Sequence, residues 1–361
     1  MAENREEVIN IIRESAPLLS GWFSENMREM PWRSEVSPYR TWVSEIMLQQ
    51  TRVDTVIPYF ERFIKELPDV AALSRCPEDR LLKLWEGLGY YSRVRNMKKA
   101  AALCMEKYGG ALPSSYEELL KLPGIGAYTA GAISSIAFHK KEPVVDGNVL
   151  RVITRLAGLY DDISSEETKR EFREYLKAVL LFSKEDPAVF NQSLMELGAL
   201  VCVPNGAPDC KNCPVRSLCR ACICKLTDSI PVNNALKTRK ITDLTVFILK
   251  YEDNLAVEKR AEKGLLSGLY GFPSKEGFLS LEEAGRYLKE AGVSFFEIQA
   301  LPEKKHIFTH IEWHMKGWIV SFENKAAFLD AAAALSLIPS SREDRQEKYA
   351  LATAFKKWNL S

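Results

Sequence analysis

Six of the eight cysteines fall between Cys202 and Cys224, while Cys76 and Cys104 stand alone. In a reducing compartment such clustering points to metal binding rather than disulfides. The run reads Cys202-x7-Cys210-x2-Cys213-x5-Cys219, and four thiolates this close in sequence suit a 4Fe–4S cluster. Zinc is the alternative, although the paired C-x2-C units of a zinc ribbon usually stand ~15–20 residues apart. Cys222 and Cys224 follow directly and have the chemistry to substitute as ligands. A second stretch carries chemistry in its backbone. In LPGIGAYTA (122–130), Gly124 and Gly126 free the chain to curl with its N–H groups outward. At the N-terminus of a following helix, expected over about residues 127–138, those N–H groups would form an anion site. A glycine-capped turn between two helices is the plainer reading.

The elements that must position these groups divide the chain in two. With 361 residues, 46% hydrophobic and 27% charged, it is an ordinary globular composition with room for two or three domains. No apolar run reaches the ~18 residues of a membrane helix. MAENREEVINII is acidic and amphipathic, unlike a signal or transit peptide, so a cytoplasmic, nucleoid-associated protein that touches no membrane is expected. The net charge of +1 means that an acidic partner would have to be met by a local patch. Residues 1–225 read as an all-helical domain: Val8, Ile9, Ile12, Leu18, Leu19, Trp22 and Phe23 recur at helical spacing, and SSYEELLKL opens on serine caps. Residues 226–239 are polar and aperiodic, hence a linker. Residues 240–361 read as a small α+β domain. DLTVFILKY (243–251) and HMKGWIVSF (314–322) have strand composition, and SLEEAGRYLKEAG is a helix with a Ser280–Glu283 capping box.

The motifs together carry a resemblance. LPGIGAYTAGAI looks like the helix-hairpin-helix of base-excision DNA glycosylases, and VVDGNVLRV (144–152) follows where that superfamily keeps an essential aspartate. PWR (31–33) and SEIMLQQTRV (44–53) are similar to the MutY-type adenine glycosylases. The resemblance implies a monomeric enzyme that hydrolyses the N-glycosidic bond of adenine opposite 8-oxoguanine or guanine in double-stranded DNA. It also implies a 4Fe–4S cluster on Cys202, Cys210, Cys213 and Cys219. This chain departs from the family spacing by one extra residue in the first gap, VPNGAPD.

Cutting a glycosidic bond calls for one neutral carboxyl to protonate the leaving group and one ionised carboxylate to stabilise the sugar cation. Glu45, among Trp42, Val43, Ile46 and Met47, is the expected acid and later the base for water. Asp146, beside Gly147 and Asn148, is the expected ionised partner in a more polar setting, with Asn148 in the catalytic group. Taken alone, Glu45 lies off the Trp42/Ile46 face of its helix and reads as exposed, and Asp146 reads as a helix cap. Tyr128 stands where lyase relatives carry an amine nucleophile; a phenol forms no Schiff base, so a monofunctional glycosylase is expected.

The remaining roles also follow from the resemblance. Extruding a base requires a wedge, with Gln50 and Tyr90 as candidates. Gln49 and Thr51 flank the first wedge, and Leu122, Gly124 and Gly126 grip the DNA backbone. Arg28, Trp32, Arg33 and Gln192 match positions near the base pocket. The C-terminal region resembles a Nudix-type fold, with Phe308, Thr309 and His310 in the loop expected to contact 8-oxoguanine. Its helix carries Arg286 and Lys289 where a working Nudix box needs glutamates, and only Glu290 fits.

Overall fold

The computed structural model describes residues 2–234, 239–261, 264–294 and 296–358. The chain folds as two compact units, Met1–Arg75 with Arg95–Ala235, and Cys76–Val94 with Leu236–Ser361. Of the linker expected over 226–239, residues 235–238 lie outside the described residues.

The first unit is helical. A core forms where α1 (Ala2–Asn26), α10 (Gly147–Ala157), α11 (Glu166–Phe182) and α12 (Pro187–Leu200) meet. Ile12 and Leu19, Val149 and Ile153, Phe172 and Val179, Phe190 and Leu194 all lose their solvent there. Ile12 and Leu19 belong to the apolar period of residues 8–23, whose Leu18 is instead exposed, and burial of one stripe per helix accounts for the packing. Three further helices build the site: α3 (Pro38–Leu48), α4 (Val53–Glu66) and α9 (Ala127–Ala132). Helix α9 is shorter than the sequence suggests, because Ile133–Ala137 continues it as a π-helical turn. Ser115 caps α8 (Tyr116–Leu120) by accepting from Glu118 N–H, as its sequence promises.

The second unit is a mixed sheet with helices, as expected. Its strands are β1 (Lys240–Tyr251), β2 (Asn254–Lys259), β3 (Tyr270–Gly271), β4 (Ser274–Glu276), β5 (Phe296–Ile307), β6 (Ile311–Phe322) and β7 (Ile338–Ser340). The order is β3-β2-β1-β6-β5, with β4 on β1 and β7 on β2. The long central pair β1/β6 is parallel, from Lys240↔Ile311 to Lys250↔Ser321, and its neighbours are antiparallel. Helices α14 (Leu281–Glu290) and α15 (Lys325–Ala334) supply Leu288 and Phe328 to a core with Phe247 and Trp318. The Ser280–Glu283 capping box is present. Residues 76–94 make their contacts in this unit. Lys83 Nζ donates to Glu86 (2.6 Å) and to the carbonyls of Arg345 (2.8 Å) and Tyr349 (3.3 Å). Lys259 Nζ donates to Asp79 at 2.7 Å.

Candidate active site

Glu45 is carried by α3, which starts at Ser37 as cap and Pro38 at its first turn. Eight consecutive-neighbourhood residues of that helix, from Tyr39 to Met47, are buried with Arg40 the exception, so the helix is enclosed on almost every side. Glu45 is only 6% exposed, and the wheel argument for exposure fails because a central helix has no solvent face. Tyr128 Oη donates to Glu45 Oε2 at 2.5 Å and lies 3.7 Å from Met195 Sδ. Asp146 caps α10: its Oδ1 accepts from Val149 N–H at 2.7 Å, and its Oδ2 accepts from Asn148 Nδ2 at 2.8 Å. The cap and the site residue are thus the same side chain.

Glu45, Tyr128, Asp146 and Asn148 face one cavity of about 260 Å³, together with Arg28, Trp32, Arg33, Thr51 and Gln192. That is near the lower end of small-ligand pockets. Trp32, 7% exposed, meets Phe60 edge-on at 5.3 Å and forms a flat wall. A second cleft of about 650 Å³ shares Glu45, Tyr128 and Asp146 and adds Gln49 and Gln50. The two carboxyls therefore stand where the cavities join.

Burial pushes the Glu45 carboxyl up to about 7; the neighbouring Asp146 charge pushes the same way, while the Tyr128 hydrogen bond and Arg33 pull back. A rise of this kind is in the direction a proton-donating carboxyl needs. Asp146 differs from expectation. Burial raises it too, and the hydrogen bonds from Val149 and Asn148, with Arg151 nearby, only partly offset that rise. Asp146 and Asn148 are half-buried at the helix start, and burial outweighs the polar groups around the carboxyl.

The sequence reading missed the group that holds this pocket's arginines. Glu196, 2% exposed, accepts from Arg28 Nε and Nη2, both at 2.9 Å, and from Arg33 Nη2 at 3.1 Å. Burial would raise its carboxyl, but the two guanidinium groups more than offset that and hold it at about 2. Arg33 Nε also donates to Gln192 Oε1 at 3.2 Å. Gln192 and Glu196 are four apart on α12, so they share a face, and a lone glutamate inside the run SLMELGAL was the available signal.

The hairpin is built as its glycines imply. Gly124 has φ +78°, and a Cβ there would lie 2.7 Å from Asn96 Cβ. Leu122 is buried, and Gly126 precedes α9 with an extended φ of −96° and no side-chain cap on the first-turn N–H groups. Gln49 ends α3, its Nε2 3.5 Å from Thr129 Oγ1, and Thr51 Oγ1 donates to Gln49 O at 3.4 Å. Gln50 follows with φ +59°. In the second unit Tyr90 has φ +47°, with Arg93 over its ring at 5.5 Å. Tyr90 Oη and Thr309 Oγ1 share a hydrogen bond of 2.6 Å, a pairing of two candidates that lie far apart in sequence. Non-glycine residues in the left-handed region cost energy that neighbours must hold, and such residues concentrate at functional sites. Phe308 packs edge-on to Trp313 at 4.9 Å, and His310 O accepts from Lys240 N–H at 2.9 Å.

The four expected cysteine ligands also come together. Cys202, Cys210, Cys213 and Cys219 line one small cavity, joined by Cys222 and by Arg155, and all are free thiols. Arg155 Nη1 donates to Cys202 Sγ at 3.3 Å. Among the described residues no acidic or histidine side chain lines the cavity. Burial raises the Cys210 thiol to about 11 and Cys213 to about 12. Arg151 Nε donates to Cys202 O at 2.7 Å and its Nη2 to Asn148 Oδ1 at 2.8 Å, tying this loop to the Asp146 cap. Among the described residues no three His, Cys, Asp or Glu side chains close on a single ion.

A hairpin-gripped cleft with a raised carboxyl beside a second carboxylate defines a class, and the comparisons name it. Residues 43–178 match the model of the HhH-GPD superfamily base excision DNA repair protein, and residues 245–358 match the NUDIX domain. The chain belongs to the adenine DNA glycosylase family. It is 34% identical to the adenine DNA glycosylase of Buchnera aphidicola subsp. Baizongia pistaciae, over 84% of this chain and 85% of that one. It is 33% identical to the adenine DNA glycosylase of Mus musculus, over 97% of this chain and 78% of that one. Among solved structures it is similar to a thermostable thymine-DNA glycosylase, with TM-score 0.52 and 26% identity over 59% of this chain and 98% of that one. Among the described residues no helix is long and apolar enough to cross a membrane.

Proposed function

We propose that this protein is a monofunctional adenine DNA glycosylase acting on adenine opposite 8-oxoguanine, or guanine, in double-stranded DNA. Residues 1–225 form the catalytic domain, and residues 240–361, after the linker, read the opposite base. The observation that carries the reading is Glu45, a carboxyl held near neutral-pH protonation at the junction of two cavities beside Asp146.

In the mechanism, adenine leaves the stack and enters the pocket walled by Trp32, with Arg28, Arg33 and Gln192 at its polar side. Glu45 protonates the base ring. The C–N bond breaks, the electron pair leaves with the base, and Asp146, oriented by Asn148, stabilises the positive sugar in its ionised form. Glu45, now ionised, takes a proton from water as the water oxygen bonds to the sugar carbon. Tyr128 holds the Glu45 carboxyl in place. It supplies no amine, so the product is an abasic site with the strand intact. Gln50, in the turn set by Gln49 and Thr51, and Tyr90, in the second unit, are each proposed as a wedge. Phosphate meets the first-turn N–H groups of α9 after Gly126, in the hairpin that Leu122 and Gly124 shape. Phe308, Thr309 and His310 meet the 8-oxoguanine edge.

Cys202, Cys210, Cys213 and Cys219 would hold a 4Fe–4S cluster. An all-sulfur donor set without carboxylate or imidazole supports that group over a hard cation. When bound, the cluster supplies a covalent tie across the loop and an electron-transfer centre. The protein works as a monomer in the cytoplasm, on the chromosome.

The test is a duplex with one adenine opposite 8-oxoguanine, incubated with protein and then treated with alkali. Scission at the adenine only after alkali is expected. Scission without alkali would contradict the monofunctional assignment, and no scission at all would contradict the substrate.

A further inference from the structure

Five thiols, not four, face the cysteine cavity: Cys222 lines it alongside Cys202, Cys210, Cys213 and Cys219. Cys222 and Cys210 line the same cavity and are both half-buried there. The two arrive on very different supports. Cys210 ends the loop VPNGAPD, which is mostly exposed from Pro204 to Ala207 and turns through Gly206 at φ +78°. Cys222 sits on the short helix α13 (Arg220–Ile223), three residues after Cys219 and so on the same side of it. That helix is fixed: Ala221 is fully buried, Arg220 pairs with Glu7, and Gly158 of the α10 terminus lies so close that a Cβ there would be 3.0 Å from Arg220 Cβ. Cys224 is exposed and does not face the cavity.

We propose that Cys222 is an interchangeable ligand of the cluster, with Cys202, Cys213 and Cys219 as the constant three and either Cys210 or Cys222 completing the set. This rests on the cluster reading above. The exchange moves no electrons. The Cys222 thiol gives its proton to solvent and binds the iron that Cys210 leaves, and the Cys210 thiolate takes up a proton. The extra residue before Cys210 gives the loop slack to swing away, and the fixed helix keeps Cys222 in reach.

The experiment is anaerobic purification of the full chain and of C210S, C222S, C210S/C222S and C213S, with iron, acid-labile sulfide and the visible cluster absorbance measured per chain. Wild type, C210S and C222S should each carry about four irons. C213S and the double variant should carry almost none. A C210S protein as empty as the double variant would overturn the proposal. So would an empty C222S beside a full C210S, which would make Cys222 the resident ligand. Wild type without iron, or with zinc, would instead sink the cluster reading itself. Should C210S fail to fold by circular dichroism, alkylation of loaded wild type with peptide mapping decides. Label divided between Cys210 and Cys222, with Cys213 and Cys219 protected, is expected. Label on Cys222 with Cys210 fully protected would overturn the exchange.

Discussion

Glu45 and Glu196 are both buried and line the same cavity, one on α3 and the other on α12, yet their carboxyls are shifted in opposite directions. Glu45 is pushed up to about 7, and Glu196 is held at about 2. The residue type is the same and burial acts on both in the same direction. The difference is in the partners. Glu196 is gripped by two guanidinium groups, whereas Glu45 has one phenol and faces a second carboxyl. One wall of the pocket is thereby a fixed scaffold that positions Arg28 and Arg33, and the other keeps a proton ready to give. Buried charge that is paired is structure; buried charge left unpaired is chemistry.

The largest break in this comparison comes from removing the proton donor. Glu45→Gln should lose about 10²–10⁴-fold in single-turnover adenine excision while still binding the lesion duplex in a gel-shift assay. Retained excision would show that the acid is another group. The same exchange at Glu196 should act on the other property. Glu196→Gln removes the carboxylate that both arginines grip. It should destabilise the fold by about 3 kcal/mol, read as a drop of the melting midpoint.

The contrast sharpens in the stability of the Glu45→Gln protein. The folded state prefers protonated Glu45, while the unfolded chain releases the proton near the ordinary value of 4.5. The folded protein therefore loses stability as pH rises from about 4.5 to about 7, with the full cost present above that. Glu45→Gln should be more stable than wild type by about 1–3 kcal/mol at pH 8, and the gain should largely vanish at pH 4.5. Equal midpoints at both pH values would count against a raised carboxyl. The smallest effect is expected at Tyr128. Its hydrogen bond lowers Glu45, so Tyr128→Phe should move the apparent pKa of excision upward by less than about one unit. A downward move would mean that Tyr128 acts through another route.

Much of this was legible beforehand, for identifiable reasons. Strand, cap and hairpin positions follow from local rules, and the Ser280–Glu283 box and the Gly124 turn stand as read. The Glu45–Asp146 pair was found by chemical need and resemblance, although α3 has no amphipathic face to betray a buried acid. Two features depend on long-range packing, and their partners cannot be read locally, even though a lone glutamate inside SLMELGAL marks Glu196 as unusual. Glu196 meets Arg28 across 168 positions of sequence, and Tyr90 meets Thr309 across 219. The rise of Asp146 comes from burial by residues distant in sequence, which its neighbours Gly147 and Asn148 do not reveal.

The most direct test of the two-carboxylate account is the pH dependence of single-turnover adenine excision by the wild-type protein. With the donor near 7, the rate should fall about tenfold for each pH unit above roughly 7.5, and Arg33→Met should shift that limb upward. A rate that stays flat to pH 9 would contradict the claim that Glu45 gives the proton.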